Sequence, residues 1–461
     1  MITAIIGSGG KTTLLHSLAQ NYIKEGKSVF ITTTTHMLIE PDTVLSDDPE
    51  IIVNHLKQNG YVMAGIPEGQ KIKSLSLETY NKVCEYADEV LVEADGSKHL
   101  PLKIPNAFEP VIPSNVDKII VVCGVNALDS LASDVIFRLE TVDDTFDISP
   151  NQEVTPAIIQ NLLRKGYLNK LMENYSDKEI SIYANGARNL YERAIASLLE
   201  SNMDVNLINK DWFSPKPCLI ICGAGHVSKE LADLASKLDM NIKVIDPRSE
   251  WANIERFPKA EIINEDFSKL ESHLVPNAYY AVLTPGHTDD LSCVSTIMKT
   301  SYSYLGMIGS HAKVEKAINS LKDAGFCDEQ INSLHAPIGL PIHAQTPVEI
   351  AVSIIAEIIE IKNRNVVSSA SETLLNSEKH GMLCIIIDKK GSSPRGAGSM
   401  MLVTDTEVID TIGGGSIENE VINAARSHKK AFIQNYTLNN TSAVNIGMVC
   451  GGTNTVLFIP V

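Results

Sequence analysis

Three things are missing from this chain, and each absence narrows its role. Its cysteines stand at positions 84, 123, 218, 222, 293, 327, 384 and 450, never in paired C-x-x-C spacing. That argues against a zinc knuckle or a disulfide framework and for a reducing cytoplasm. Cys218 and Cys222 flank a predicted buried strand and read as small core residues. No apolar run approaches the roughly 20 residues that cross a bilayer, so no membrane partner is expected. Lys11 and two threonines interrupt the apolar opening, so no signal peptide is expected either. Positive charge is also scarce. A formal net charge of −17 argues against a general nucleic-acid partner, because phosphate backbones need a basic face. What remains is a globular composition, 44% hydrophobic and 21% charged, over 461 residues. That length suits roughly two to four domains.

One stretch, Cys218 to Arg248, organises the rest. Leu219, Ile220 and Ile221 form a short apolar run that ends in a glycine turn. Gly223 and Gly225 supply G-x-G, with Ser228 where a third small residue belongs. Leu231, Leu234, Ala235 and Leu238 recur at helical spacing, and Ile242, Val244 and Ile245 restart an apolar run that Asp246 closes. Such a glycine turn lets backbone N–H groups approach a phosphate, and the helix start adds its dipole. An acid about twenty residues on takes ribose hydroxyls. A nucleotide site is favoured over a bare tight turn because strand, helix and acid all fall in place.

The chain opens on a strand, Ile2 to Ile6, followed by Gly7-Ser8-Gly9-Gly10-Lys11-Thr12-Thr13 and a helix from Thr12 to about Glu25. This is a phosphate-loop layout. The amides of Gly7, Gly9, Gly10 and Thr13 would cradle phosphates, Lys11 would reach the terminal ones, and Thr12 would hold magnesium. The standard loop has glycine five positions before its G-K pair; here Ile5 stands there, so the loop is compressed. The competing reading is a glycine-rich turn with a solvated lysine. Val90-Leu91-Val92-Glu93-Ala94-Asp95 is an apolar strand ending in acids, where such folds place a metal ligand and a water-orienting base. Asp95 is expected as the metal ligand with Thr12, and Glu93 as the base; a solvated strand end is the alternative. No N-K-x-D pattern follows the strand Asp117 to Val122, which leaves ATP and GTP both open. Thr155-Pro156 marks a helix cap, the helix through Glu192 to Leu199 closes the unit, and Phe213 to Pro217 reads as a linker.

IIGSGGKTTLL, ITTTTHM and LVEADGSKHLPLK resemble the selenium cofactor biosynthesis family, accessory to selenium-dependent hydroxylases. The likeness spans roughly the first 200 residues and implies a pathway better than a reaction.

Beyond Arg248, Tyr279 to Thr284 is another buried strand, ending in Pro285-Gly286-His287-Thr288-Asp289-Asp290. Asp289 reads as a helix cap and His287 as a ligand or a bystander. Gly309, Ser310 and Lys313 repeat the glycine-then-helix theme and suit a second anionic group. Thr346-Pro347-Val348-Glu349 is a capping box opening a helix to about Ile361. ICGAGHVS, VIDPR, LTPGHTDD, YLGMIGSHAKV and PIGLPIHAQTPVEIAVSIIAEII resemble the Rossmann domain of the xanthine dehydrogenase accessory family (XdhC/CoxI). His311 departs from it, standing where relatives often carry arginine.

From Asn363 to Lys379 the chain is polar and reads as a joint. Glycine clusters at 391–398, 413–415 and 451–452 then suggest backbone packed round a large ligand, or only tight β-turns. Arg395 is the anion ligand of the first cluster. Glu418 opens a helix, where a dipole-favoured acid is the plain alternative. GSSPRGAGSMMLV, TIGGGSIENEVI and MVCGGTNTVLFIP resemble the other half of the XdhC/CoxI family, in swapped order. By that resemblance Cys450 is a candidate thiolate for sulfur, selenium or molybdenum.

The expectation is therefore an α/β protein of three domains: a P-loop-like parallel sheet over 1–212, a Rossmann-like domain over 217–363, and a small glycine-rich α+β domain over 379–461. The resemblances imply a cytoplasmic maturation factor for a selenium-dependent molybdenum hydroxylase client. It would bind NTP with Mg, and molybdenum cofactor as molybdopterin or its cytosine dinucleotide. NTP hydrolysis and a homodimer stay open. The rivals are an NAD(P)-dependent oxidoreductase using the Rossmann domain and a non-catalytic nucleotide-sensing scaffold.

Overall fold

The computed structural model describes residues 1–96, 98–141, 146, 148–214, 216–238, 240–364, 370–391, 395–437 and 452–461. The first part of the chain carries strands β1 (Ile2–Gly7), β2 (Val29–Thr33), β3 (His36–Leu38), β4 (Tyr61–Met63), β5 (Ile66–Glu68), β6 (Lys71–Lys73), β7 (Glu89–Glu93), β8 (Leu102–Lys103), β9 (Lys118–Gly124), β10 (Ile136–Phe137) and β11 (Glu179–Asn185). Six of these form a sheet in the order β11-β9-β1-β7-β2-β4. Every pair in it is parallel. Ala4, Ile5 and Ile6 of β1 are fully buried, as expected of a parallel strand covered on both faces. The register sets Ile5 beside Glu93 and Gly7 beside Val122. The glycine loop after β1 and the acids after β7 thus meet at one sheet edge. In open α/β sheets that carboxyl edge is where ligands bind. A separate antiparallel sheet, β3-β6-β5, carries Lys71 and Lys73. The pair β8-β10 brings Lys103 level with Phe137. Sequence periodicity missed these short strands, which have two or three residues each.

The middle of the chain adds β12 (Cys218–Cys222), β13 (Asn241–Ile245), β14 (Glu261–Ile263), β15 (Ala278–Val282), β16 (Tyr302–Met307) and β17 (Leu334–His335). Their order is β14-β13-β12-β15-β16-β17, all parallel. That is the 3-2-1-4-5-6 order of dinucleotide-binding folds. The capping box stands as expected: Thr346 Oγ1 accepts from Glu349 N, and Glu349 Oε2 accepts from Thr346 N. Its helix runs Pro347–Arg364. The expected cap at Asp289 does not form. The helix His287–Ile297 starts after Gly286 with no side-chain cap.

The last part holds β18 (Met382–Gly391), β19 (Met400–Val403), β20 (Val408–Asp410), β21 (Phe432–Thr437) and β22 (Gly452–Pro460). They form an antiparallel sheet in the order β20-β19-β18-β22-β21. Both faces are buried, with the period-2 alternation a strand dictates. Met382, Cys384 and Ile386 share a core with Ile417 and Val421 of the helix Gly415–Ser427. Leu383 and Ile385 instead join the core of the first sheet, together with Ala370, Leu374 and Trp212. The helix Leu190–Glu200 packs between β11 and β22, which explains why it is buried nearly all round. Arg193 fastens the seam by donating to the carbonyls of Ser377 and Lys379. The polar joint, expected to be flexible with one short helix, carries that helix at Glu372–Leu375 and is docked at Ala370 and Leu374.

Candidate functional site

The loop between β1 and the helix Lys11–Lys24 owes its shape to glycine. Gly7 has φ 92°, and a Cβ there would lie 2.1 Å from the Val122 carbonyl oxygen. Gly10 has φ 120°, and its Cβ would fall 2.0 Å from Asn185 Nδ2. Asn185 also donates to the Gly9 carbonyl at 3.1 Å. No side chain caps the helix that follows. Its first turn, with Thr12 and Thr13 exposed, borders a cleft of about 1110 Å³. Amides at an uncapped helix start favour an anion.

Beneath the loop lies a run of alternating charges. Lys11 is 3% exposed; its Nζ donates to the Gly7 carbonyl at 2.7 Å and lies 2.8 Å from Asp95 Oδ1. Asp95 is fully buried, and its other oxygen accepts from Gly7 N at 2.9 Å and faces Lys103 Nζ at 3.2 Å. Lys103 reaches on to Glu109 at 2.6 Å, and Arg138 forks onto Glu109 at 2.5 and 3.2 Å. Pairing is what makes buried charge tolerable, and removing one partner costs about 3–5 kcal/mol. Both Asp95 oxygens are taken up inside the protein, and Asp95 is not among the residues lining the cleft, while Thr12 is. As arranged, these two do not assemble the expected metal pair; Asp95 braces the loop and holds Lys11.

Glu93 is different. It lines the cleft at 7% exposure, with Oε2 lacking a hydrogen-bond partner among the described residues. Its nearest cation, Lys11 Nζ, stands 3.9 Å from Oε1. Burial pushes its carboxyl up to about 7, with Lys11 pulling down and Asp95 pushing up. A carboxylate titrating near neutrality is suited to taking a proton. Sequence reading found Lys11, Glu93 and Asp95 but missed Lys103, Glu109, Arg138 and Asn185. Lys103 sits inside the LPLK stretch, whose lysine gave no periodic signal. Glu109 and Arg138 are brought in by tertiary structure alone.

In the Rossmann domain, Gly223 has φ 103°, and a Cβ would lie 2.3 Å from the Leu283 carbonyl oxygen. A Cβ on Gly225 would meet nothing within 4 Å. Ser228 is fully buried, so it serves helix packing. Asp246 is fully buried as well. It accepts from Ala224 N at 2.8 Å, and from Arg248 Nε and NH2 at 2.9 and 2.7 Å. Its carboxyl stays below the usual range: burial raises it, and the bonds from Arg248 and the two backbone amides outweigh that. In this arrangement Asp246 braces the turn and offers no oxygen to a ribose. Arg248 and Arg256 both lie over Trp251, at 5.3 and 4.6 Å from its ring centre.

Lys313, expected to meet an anion, pairs instead with buried Asp290, which also accepts from Thr284 Oγ1 at 2.6 Å. Gly309 precedes that lysine, and its missing Cβ would lie 2.9 Å from Lys313 Cδ. Ser310, exposed, precedes the helix His311–Asp323 without capping it. In the last domain Glu418 Oε2 accepts from Ile412 N and Gly414 N, both at 3.0 Å, and from Thr411 Oγ1. It is a clasp on its glycine loop. Arg395 is half-buried. Cys450 lies outside the described residues.

A parallel-sheet domain with a glycine loop after its first strand is thus joined to a Rossmann domain and a small antiparallel one. Family models place these as the YqeC protein over residues 3–140, the XdhC Rossmann domain over 219–358, and the XdhC and CoxI family over 374–431. The chain carries a YqeC domain followed by the two XdhC domains, Rossmann first. It is 34% identical to "Uncharacterized protein YqeB" of Escherichia coli (strain K12), over 32% of this chain and 28% of that one. It is 30% identical to a Bacillus subtilis (strain 168) protein named as a probable xanthine dehydrogenase subunit, over 32% of this chain and 44% of that one. It is 27% identical to "Uncharacterized protein YqeC" of Escherichia coli (strain K12), over 35% of this chain and 67% of that one. The alignment thus spans less than half the length of the first two relatives. Among the described residues no helix is long and apolar enough to cross a membrane.

Proposed function

We propose that this protein is a maturation factor for a molybdenum hydroxylase of the xanthine dehydrogenase type. In this reading the N-terminal cleft binds a nucleoside triphosphate, and the XdhC domains hold molybdenum cofactor and assist its sulfuration or selenation and its insertion. The XdhC matches and the Bacillus subtilis relative, by its name, support the client class. The selenium branch rests on the N-terminal resemblance. One observation carries the nucleotide reading: a glycine loop and uncapped helix start open on a cleft where buried Glu93 keeps one oxygen without a partner among the described residues.

The chain's own residues divide the work. Amides of Gly9 to Thr13 take the phosphates. Lys11, released from Asp95, would reach the terminal one, and Lys103 would keep Asp95 paired. Glu93 takes the proton of an attacking water. Asp95 does not fit a direct metal ligand as it stands, and no step here runs through magnesium. Molybdenum cofactor would bring a phosphate group. The open space at Gly225 fits such a group, whereas the sealed Asp246 does not fit a ribose.

The test is calorimetric titration of the purified chain with ATP and GTP, and with molybdopterin released from a molybdoenzyme. Binding of one triphosphate that Lys11→Ala removes, with molybdopterin binding kept, is expected. A protein that binds neither defeats the proposal.

A further inference from the structure

The cleft in front of the loop is large for a small-molecule site. Small-molecule sites run to about 300–1,000 Å³, and this one measures about 1110 Å³. Its lining is also cationic, against the chain's net charge of −17. Two of those cations matter most. Lys71 comes from β6, in the small antiparallel sheet, a different body from the sheet that carries the loop. Lys98 follows β7 and lies over the Phe137 ring at 5.4 Å. Both are exposed, and neither has an ion-pair partner among the described residues. The other cations around them are spoken for: Lys73 by Glu68 at 3.4 Å and Arg138 by Glu109. The acid that feels Lys71 is Glu93, the buried carboxylate with an unpartnered oxygen.

We propose that Lys71 and Lys98 form a second anion subsite in this cleft, holding a small phosphorylated or polycarboxylated molecule beside the nucleotide. The cleft is then a two-substrate site. That the cleft takes two substrates rests on the nucleotide reading above; the subsite itself stands on the lysines and the space.

Inorganic pyrophosphate is the probe, added to protein already saturated with the non-hydrolysable triphosphate AMP-PNP, at low ionic strength so that exposed charges are not screened. One pyrophosphate is expected to bind per loaded chain. Replacing both lysines, Lys71→Ala with Lys98→Ala, should weaken it about tenfold or more and leave AMP-PNP affinity within about twofold. Circular dichroism confirms that the variant keeps its fold. The proposal fails if pyrophosphate displaces AMP-PNP, if it does not bind the loaded chain, or if the double variant weakens AMP-PNP equally. In the last case the lysines serve the nucleotide's own phosphates. If the wild type takes pyrophosphate through these lysines but neither AMP-PNP nor GMP-PNP, the nucleotide reading falls and the anion subsite stands.

Discussion

Gly7 and Gly223 occupy equivalent places in two unrelated parallel sheets. Each has a positive φ, 92° and 103°, and at each a Cβ would collide with a carbonyl oxygen in or just after a neighbouring strand, that of Val122 or Leu283. In each case a fully buried acid holds a loop amide: Asp95 holds Gly7 N, and Asp246 holds Ala224 N. The difference lies in the acid's other partners. Asp95 is bound inward to Lys11 and Lys103. Asp246 is closed off by Arg248, two residues along the chain. The comparison teaches that an acid at the end of an apolar strand is as readily a brace as a ligand. At the first site the outward-facing carboxylate is Glu93, two residues earlier. At the second the strand-end acid is sealed, and His226 is exposed at the start of the helix.

Variants can break this pairing in order of effect. Gly7→Ala should cost most, about 3–5 kcal/mol in denaturant unfolding, because its Cβ meets backbone that cannot yield. Lys11→Ala should cost about 3 kcal/mol, since Asp95 loses one of its two cations, and should lower nucleotide affinity about 100-fold or more in calorimetry. Glu93→Gln should abolish triphosphate turnover and act oppositely on stability. With its carboxyl raised to about 7, the folded chain keeps a proton that the unfolded chain releases from pH 4.5 upward, so stability falls across that window. The amide removes that loss, a gain of at most about 3 kcal/mol at pH 8 and none at pH 4. Wild-type turnover should rise with pH through about 7. Arg248→Ala should cost about 2 kcal/mol at pH 7. Asp246's contribution is present above the ordinary carboxylate range and lost as pH falls. Without Arg248, acid unfolding should therefore begin at higher pH. Gly225→Ala should cost no more than about 1 kcal/mol: its Cβ enters open space, and the loss is only that of glycine's preference at the helix N-cap. Any ligand affinity it removes must then come from a guest at the turn; unchanged affinity would place the guest elsewhere.

Much of this was legible in the sequence. The strand–glycine–helix units were read from apolar runs broken by glycine, and the capping box at Thr346 from four residues. Asp95, Asp246 and Glu418 were found as residues but not as braces. Whether Asp95, Asp246 or Glu418 faces a ligand depends on a partner such as Lys103, Arg248 or Thr411, and spacing does not reveal rotamers. Lys71 and Lys98 became interesting only once a three-residue strand and a loop were folded over the same opening. The run MLCIII of β18 reads as a buried strand, yet nothing in it says that alternate residues serve two different cores.

That two-faced strand has a practical consequence. Because Leu383 and Ile385 complete the core around the helix Leu190–Glu200, the first and last domains are one mechanical unit with the Rossmann domain spliced between them. A fragment cut at residue 212 would leave an oily seam uncovered and should clump in solution. Excising the central domain and rejoining the ends is the dissection that this architecture favours.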